Sequence, residues 1–218
     1  MTKTDDVSDW VSAEDFEAVP NGNKPFSLKV PALIVTRGAT GPTNIMLAMW
    51  FTPMGAEPSS FIVAISKSTK TYELLEETGE FVVAAPNEDM LDVLVYSGTA
   101  SGHNEDKWAR SGLTAVKPSK GSVPLVGEAL GNVELKVARK IPFDDNYVLI
   151  VGEVQACLVK KGLFEAGIYL DHANPILWLG KQSGVKPPPG QKLPTYAAGM
   201  GSIRRSNPDA PLLKNAKK

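Results

Sequence analysis

Residues 66–71, Ser66-Lys67-Ser68-Thr69-Lys70-Thr71, place two lysines and four hydroxyl side chains within six positions. Ammonium groups and hydroxyls are the donors that surround a phosphate. A helix N-terminus adds free N–H groups and a partial positive charge. The run lies between an apolar, β-branched segment at 61–65 and a segment of helical spacing at 70–77. It breaks the charge rule for helix starts. The two other expected helices open on Glu88-Asp89 and Glu105-Asp106, after caps at Asn87 and Asn104, whereas this one opens on Lys67 and Lys70. The capping-box spacing also fails, because Tyr72 and Leu74 stand three residues after Thr69 and Thr71. Such a cluster is either a phosphate cradle or a solvated cap with its lysines in water. It is not a Walker loop, since the Gly-x4-Gly-Lys frame is absent.

The segment 44–51 precedes it. Small Ala48 among Leu47, Met49 and Trp50 would let a flat ring approach the backbone, and Asn44 carries both a donor and an acceptor for a heterocycle edge. The plainer alternative is a core run, with Asn44 serving the Gly41-Pro42 turn. Ser97, Gly98, Ser101 and Gly102 belong to a small-residue loop that could close over a ligand. His103 ends that loop, as a weak catalytic candidate or as a surface histidine beside a cap. His172 follows Asp171 directly, and neighbours on an extended chain point apart, so they form no ready dyad. Cys157 falls inside an expected strand and is expected to be a buried, inert thiol.

The elements that must position these groups are mostly strands. Runs at 32–36, 44–51, 61–65, 81–84, 133–140 and 146–160 are apolar or alternating, and Asp144-Asp145-Asn146 marks a hairpin turn between the last two. Gly152 in the last run suggests a bulge or bend. Short helices are expected at 70–77, 88–96 and 105–111, stopped by Gly79, Gly98 and Gly112. A further short helix is possible where Ser12 caps Ala13-Glu14-Asp15. Strands linked by turns or one short helix fit a mainly β, antiparallel barrel better than a βαβ sheet.

The organisation reads as an N-terminal arm at 1–27, one domain at 28–180, and a Pro-rich basic tail at 181–218 that opens on Pro187-Pro188-Pro189. The chain has 218 residues, 43% hydrophobic and 22% charged, which is ordinary globular composition. A net charge of -1 argues against nucleic-acid binding by overall charge. One Cys and two His cannot build a His/Cys zinc cluster, so no metal is expected. No apolar run is long enough to span a membrane, and the first residues lack a signal-peptide pattern, so a cytoplasmic location is expected. Gly-x-Ser-x-Gly, HExxH and GxGxxG frames are absent, which weakens hydrolase, zincin and Rossmann dehydrogenase readings.

Taken in order, these segments resemble the flavin reductase-like family, the FMN-binding split β-barrels that include flavoredoxin-type proteins. The resemblance is carried by Pro31-Ala32-Leu33-Ile34-Val35-Thr36, Asn44 to Trp50, Ser66 to Thr71 and Glu77-Thr78-Gly79-Glu80-Phe81-Val82-Val83. It continues in Asp106-Lys107-Trp108, Leu113 and Gly152-Glu153-Val154. It implies an antiparallel Greek-key barrel, a homodimer, and FMN held near the subunit interface. It makes Asn44, Leu47, Ala48, Met49 and Trp50 ring contacts and Ser66, Lys67, Ser68, Thr69, Lys70 and Thr71 phosphate contacts. Ser97, Gly98, Ser101, Gly102 and Lys107 would lie near the flavin or its phosphate. The implied activity is hydride transfer from NADH or NADPH to FMN. The alternative is a non-enzymatic FMN-binding electron carrier reduced by a protein partner, with an electron-acceptor protein in either case.

Overall fold

A computed structural model describes residues 28–165, 168–169, 173–181, 195–199 and 202–205. Seven strands form one antiparallel sheet: β1 (Ala32–Arg37), β2 (Thr43–Ala48), β3 (Phe51–Ala56), β4 (Ser59–Ser66), β5 (Glu80–Ala85), and the long β8 (Gly131–Pro142) and β9 (Tyr147–Val159). The two-stranded ladder of β6 (Ala115–Val116) and β7 (Leu125–Val126) lies between β5 and β8 in the chain. The strand order in the main sheet is β2-β1-β5-β8-β9-β4-β3.

That order puts β2 and β3, consecutive in the chain, at opposite edges. A flat sheet of this width would hold its edges about 29 Å apart at ~4.8 Å per strand. The chain from Ala48 to Phe51 can span only about 11 Å. The sheet must therefore roll until its edges meet at Met49-Trp50. The Ala64 amide of β4 donates to the Trp50 carbonyl at 2.9 Å, which continues the β3–β4 ladder up to this junction. The result is a mainly β, antiparallel split barrel. The expected single strand at 44–51 is thus two strands broken at Met49-Trp50, because the chain there changes sheet edges.

The inner strands are buried on both faces. In β1, Ala32 and Ile34 join a cluster with Val63, Ile65, Phe81 and Ile150, while Leu33 and Val35 join another with Val82, Met90, Val93 and Leu94. This explains why 32–36 reads as a continuous apolar run rather than an alternating one. Gly152 is not itself the bulge. The register between β8 and β9 shifts between Val137 and Arg139, on the strand facing it, and again between Glu134 and Leu135. Gly152 is required because a Cβ there would stand 2.5 Å from Phe81 Cζ in the barrel core.

The helices form near their expected places. Helix α1 (Lys70–Thr78) is capped by Thr69, whose Oγ1 accepts from the Tyr72 amide, and ends at Gly79 with φ 65°. Asn87 caps a short 3₁₀ turn, Glu88–Met90, which leads into α2 (Leu91–Thr99). Gly98 therefore lies inside α2 rather than ending it, where it packs on Leu47; a Cβ would stand 2.9 Å from Leu47 Cδ2. Helix α3 (Lys107–Ser111) starts later than expected. Its cap is Asp106, which accepts from the Ala109 amide, so Glu105 precedes the helix.

Cys157 is exposed on β9, not buried, because its face of the strand points away from the core. Short strands follow: β10 (Phe164–Glu165) with β11 (Ile168–Tyr169), then β12 (Leu177–Lys181), β13 (Thr195–Gly199) and β14 (Ser202–Arg205). The last three make a sheet within which β13 and β14 belong to the expected tail. The N-terminal arm, His172 and the Pro187-Pro188-Pro189 run lie outside the described residues.

Candidate functional site

The meeting of the sheet edges leaves a cavity of about 420 Å³, within the range of small-molecule sites. One wall is β2 with the junction after it: Asn44, Leu47, Ala48, Met49 and Trp50, together with Met46. The opposite wall is Ala64 and Ser66 of β4, with Tyr147 at the start of β9. The Trp50 and Tyr147 rings lie 5.4 Å apart at an interplanar angle of 57°. Trp50 is 52% exposed, so this aromatic pair forms the rim rather than the floor.

The polar end is built from the loop before α1. Ser68, Thr69, Lys70 and Thr71 line it, and the Ser66 and Ser68 hydroxyls stand 3.0 Å apart. The Thr69 hydroxyl donates to the Ser66 carbonyl at 2.8 Å, which fixes the turn. Buried Asn44 donates through Nδ2 to Thr71 Oγ1 at 2.9 Å, tying the β2 wall to the first turn of the helix. The Lys70 ammonium is ion-paired with Glu73, and this contact holds the Glu73 carboxyl below its usual range. Glu73 therefore answers the charge-rule violation seen in the sequence, one turn into the helix.

The third side is the α2–α3 connection. Ser97, Gly98, Ala100, Ser101, Gly102 and His103 line the cavity, with Lys107 from α3. Tyr96 braces this connection by donating to Glu105 at 2.9 Å, and Arg110 donates to the same oxygen at 2.8 Å. Burial, then the bond to Glu105, pushes the Tyr96 hydroxyl up to about 12. Lys107 is 5% exposed and donates to the Ser97 carbonyl at 2.9 Å. Burial pushes its ammonium down to about 8. His103 places Nε2 3.3 Å from the Ser68 carbonyl, linking this connection to the loop before α1.

One sequence-derived residue stands apart. Lys67 does not line the cavity; its ammonium donates to the carbonyls of Asp144 and Asp145 in the β8–β9 turn, at 2.9 and 3.3 Å. Two lining residues escaped the sequence reading, Ala64 and Tyr147, while Met46 and Ala100 fall within the expected segments 44–50 and 97–102. Met46 was legible, since 44, 46 and 48 share one face of a strand. Tyr147 carried no local signal. The β4–β9 register, which pairs it with Ser66, brings it in from 81 positions away.

Comparison with known proteins fits this geometry. The sequence pattern described as "Flavin reductase like domain" matches residues 27–182. The chain belongs to the flavin reductase-like family. An uncharacterised relative from Archaeoglobus fulgidus is 36% identical over 121 residues, covering 56% of this chain and 67% of its own. The flavin reductase-like fold is seen again in flavoredoxin from Methanosarcina acetivorans, with a TM-score of 0.69 at 22% identity, covering 86% of this chain and 92% of that one. An FMN-binding protein from Thermus thermophilus, solved with 1-cyclohex-2-enone, has a TM-score of 0.62 at 23% identity, covering 89% and 96%. Among the described residues, no group of three or more potential metal ligands occurs, and no helix is long and apolar enough to cross a membrane.

Proposed function

We propose that this protein holds FMN in the cavity and that the flavin, once bound, accepts hydride from NADH or NADPH and passes electrons to an acceptor. The observation that carries this reading is a cavity with one apolar, aromatic-rimmed wall and a separate end rich in hydroxyls, amides and lysine. A flavin mononucleotide has the same division into a flat ring and a phosphate.

Two details support the fit. Asn44 is 4% exposed, yet its Oδ1 has no hydrogen-bond partner among the described residues, so an acceptor waits in the wall. Gly102 lies against that oxygen, where a Cβ would stand 2.3 Å from it, so a side chain there would force a shift. Ser66, Ser68, Thr69, Lys70 and the amides of the α1 first turn would hold the phosphate. Asn44, Ala48, Met49 and Trp50 would orient the ring, and Tyr147 would shield its edge with Trp50. Lys107 would supply a desolvated cation to the same cavity.

A homodimer and a cytoplasmic location are part of the proposal. Exposed Trp50 and Phe143, both beside Tyr147, support a partner surface near the cavity. The test is purification followed by flavin analysis, then anaerobic mixing with NADH and with NADPH while the flavin absorbance is followed. Bleaching by either nucleotide is expected. Bound FMN that neither nucleotide bleaches would replace the reductase with an electron carrier reduced by a protein partner. Protein that takes up no FMN would remove both.

A further inference from the structure

We infer that Glu73 is a resident counter-ion of the phosphate end: it holds the Lys70 ammonium and gives it up when a phosphate-bearing ligand enters, with His103 retaining the carboxylate. This rests on the reading of the cavity as an FMN site.

The arrangement is unsymmetrical in a way that suits an exchange. Lys70 lines the cavity, whereas Glu73 lines the groove outside it. Their side chains, 22% and 47% exposed, meet across this boundary as an i,i+3 pair on α1. Glu73 thus draws the cation outward, away from where a phosphate would need it. Its second oxygen, Oε2, lies 3.7 Å from His103 Nδ1. Both nitrogens of that ring face acceptors, the Glu73 carboxylate and the Ser68 carbonyl. The His103 ring therefore stays beside the carboxylate when Lys70 turns inward.

The other carboxylates of the groove are held elsewhere. Glu76 is bound to the Lys140 ammonium, and Glu77 accepts from the Ala39 amide at 3.2 Å. Glu73 is the groove carboxylate whose cation belongs to the cavity. It sets FMN affinity below the level that Lys70 alone would provide. Riboflavin has no phosphate and leaves the Lys70–Glu73 pair intact, so the effect is specific to the phosphate.

The test is a titration of flavin-free protein with FMN and with riboflavin at low salt, in the wild type, Glu73→Gln, Lys70→Gln and the double variant. Glu73→Gln is expected to tighten FMN about two- to fivefold, the scale of one exposed ion pair, and to leave riboflavin unchanged. In the Lys70→Gln background the same change is expected to gain less than half as much. Unchanged or weaker FMN binding in Glu73→Gln overturns the inference, as does an equal gain in both backgrounds or an equal gain for riboflavin. Wild-type protein that does not bind FMN overturns the site reading itself. Thermal melts of each variant confirm that folded protein is compared, and both positions are polar and at least partly exposed.

Discussion

The Asn44 side chain and the Thr71 hydroxyl are joined by a 2.9 Å hydrogen bond, and both residues are buried. The bond connects the strand that walls the cavity to the helix turn that forms its polar end. The β2 wall and the polar end of the cavity are therefore tied together. Asn44→Ala leaves Thr71 Oγ1 without this buried partner, at a cost of about 1–3 kcal/mol. FMN affinity is expected to fall roughly tenfold, equivalent to ~1.4 kcal/mol, in a fluorescence titration. Affinity equal to the wild type would remove Asn44 from the site.

Gly102 packs against Asn44 and Lys70 at the cavity wall. An added Cβ would stand 2.3 Å from Asn44 Oδ1 and 3.0 Å from Lys70 Cβ. Gly102→Ala must displace the α2–α3 connection, with an overpacking penalty of about 1–3 kcal/mol. The melting temperature is expected to drop by about 2–4 °C per kcal/mol for a chain this long. FMN binding is expected to weaken with it. A variant that melts and binds like the wild type would show that this connection is free to move.

Glu134 stands on β8 away from the cavity and holds the loop 119–121. It accepts from the Ser119 amide and hydroxyl at 2.7 and 2.6 Å, and from the Lys120 and Gly121 amides, both at 2.8 Å. Burial pushes its carboxyl up, but these donors together outweigh burial and hold it below the usual range. A depressed native value adds stability above the ordinary carboxylate range, which is lost as pH falls through the native value. Glu134→Gln is expected to lose about 2 kcal/mol at neutral pH, because an amide cannot accept from all four donors. The gap to the wild type should close as pH falls through the native value, where the folded carboxyl also protonates. Denaturant melts across pH measure it, and a constant gap would contradict the role.

Lys107 gives a pH dependence of the same sign in a higher window, with burial rather than hydrogen bonding as its cause. Burial depresses its native value to about 8, so above that pH the unfolded chain binds the proton that the folded one has lost. Stability from this group should therefore rise with pH between about 8 and 10. Lys107→Met keeps most of the stem and removes the charge. In flavin-free protein the wild type is expected to gain stability relative to this variant across that window. Parallel pH profiles would place the ammonium in water rather than in the cavity wall.

Much of the architecture was legible in the residues. The apolar runs at β1, β4 and β5, the cap at Asn87, and the stops at Gly79 and Gly112 depend on interactions within a few positions. The lysines and hydroxyls at 66–71 stood out because they violated a local charge rule. The expected ring-contact role of the residues around Asn44 and Trp50 rested on the whole ordered pattern of segments. The break at Met49-Trp50, the late start of α3 and the exposure of Cys157 were not legible. Each depends on which element packs alongside.

The sequence by itself determined where strands and helices form and which side chains are available to bind a phosphate, since propensity, periodicity and capping act over a few residues. Only the tertiary structure decided how those side chains are used. The roll of the sheet brings β2 against β4, and the β4–β9 register carries Tyr147 to the rim. The same packing binds Lys67 to the carbonyls of a turn 77 positions away, while α1 directs Lys70 to Glu73. Two lysines alike in sequence thus end on different acceptors, because strand pairing brings a distant turn to Lys67 while the helix gives Lys70 a partner of its own.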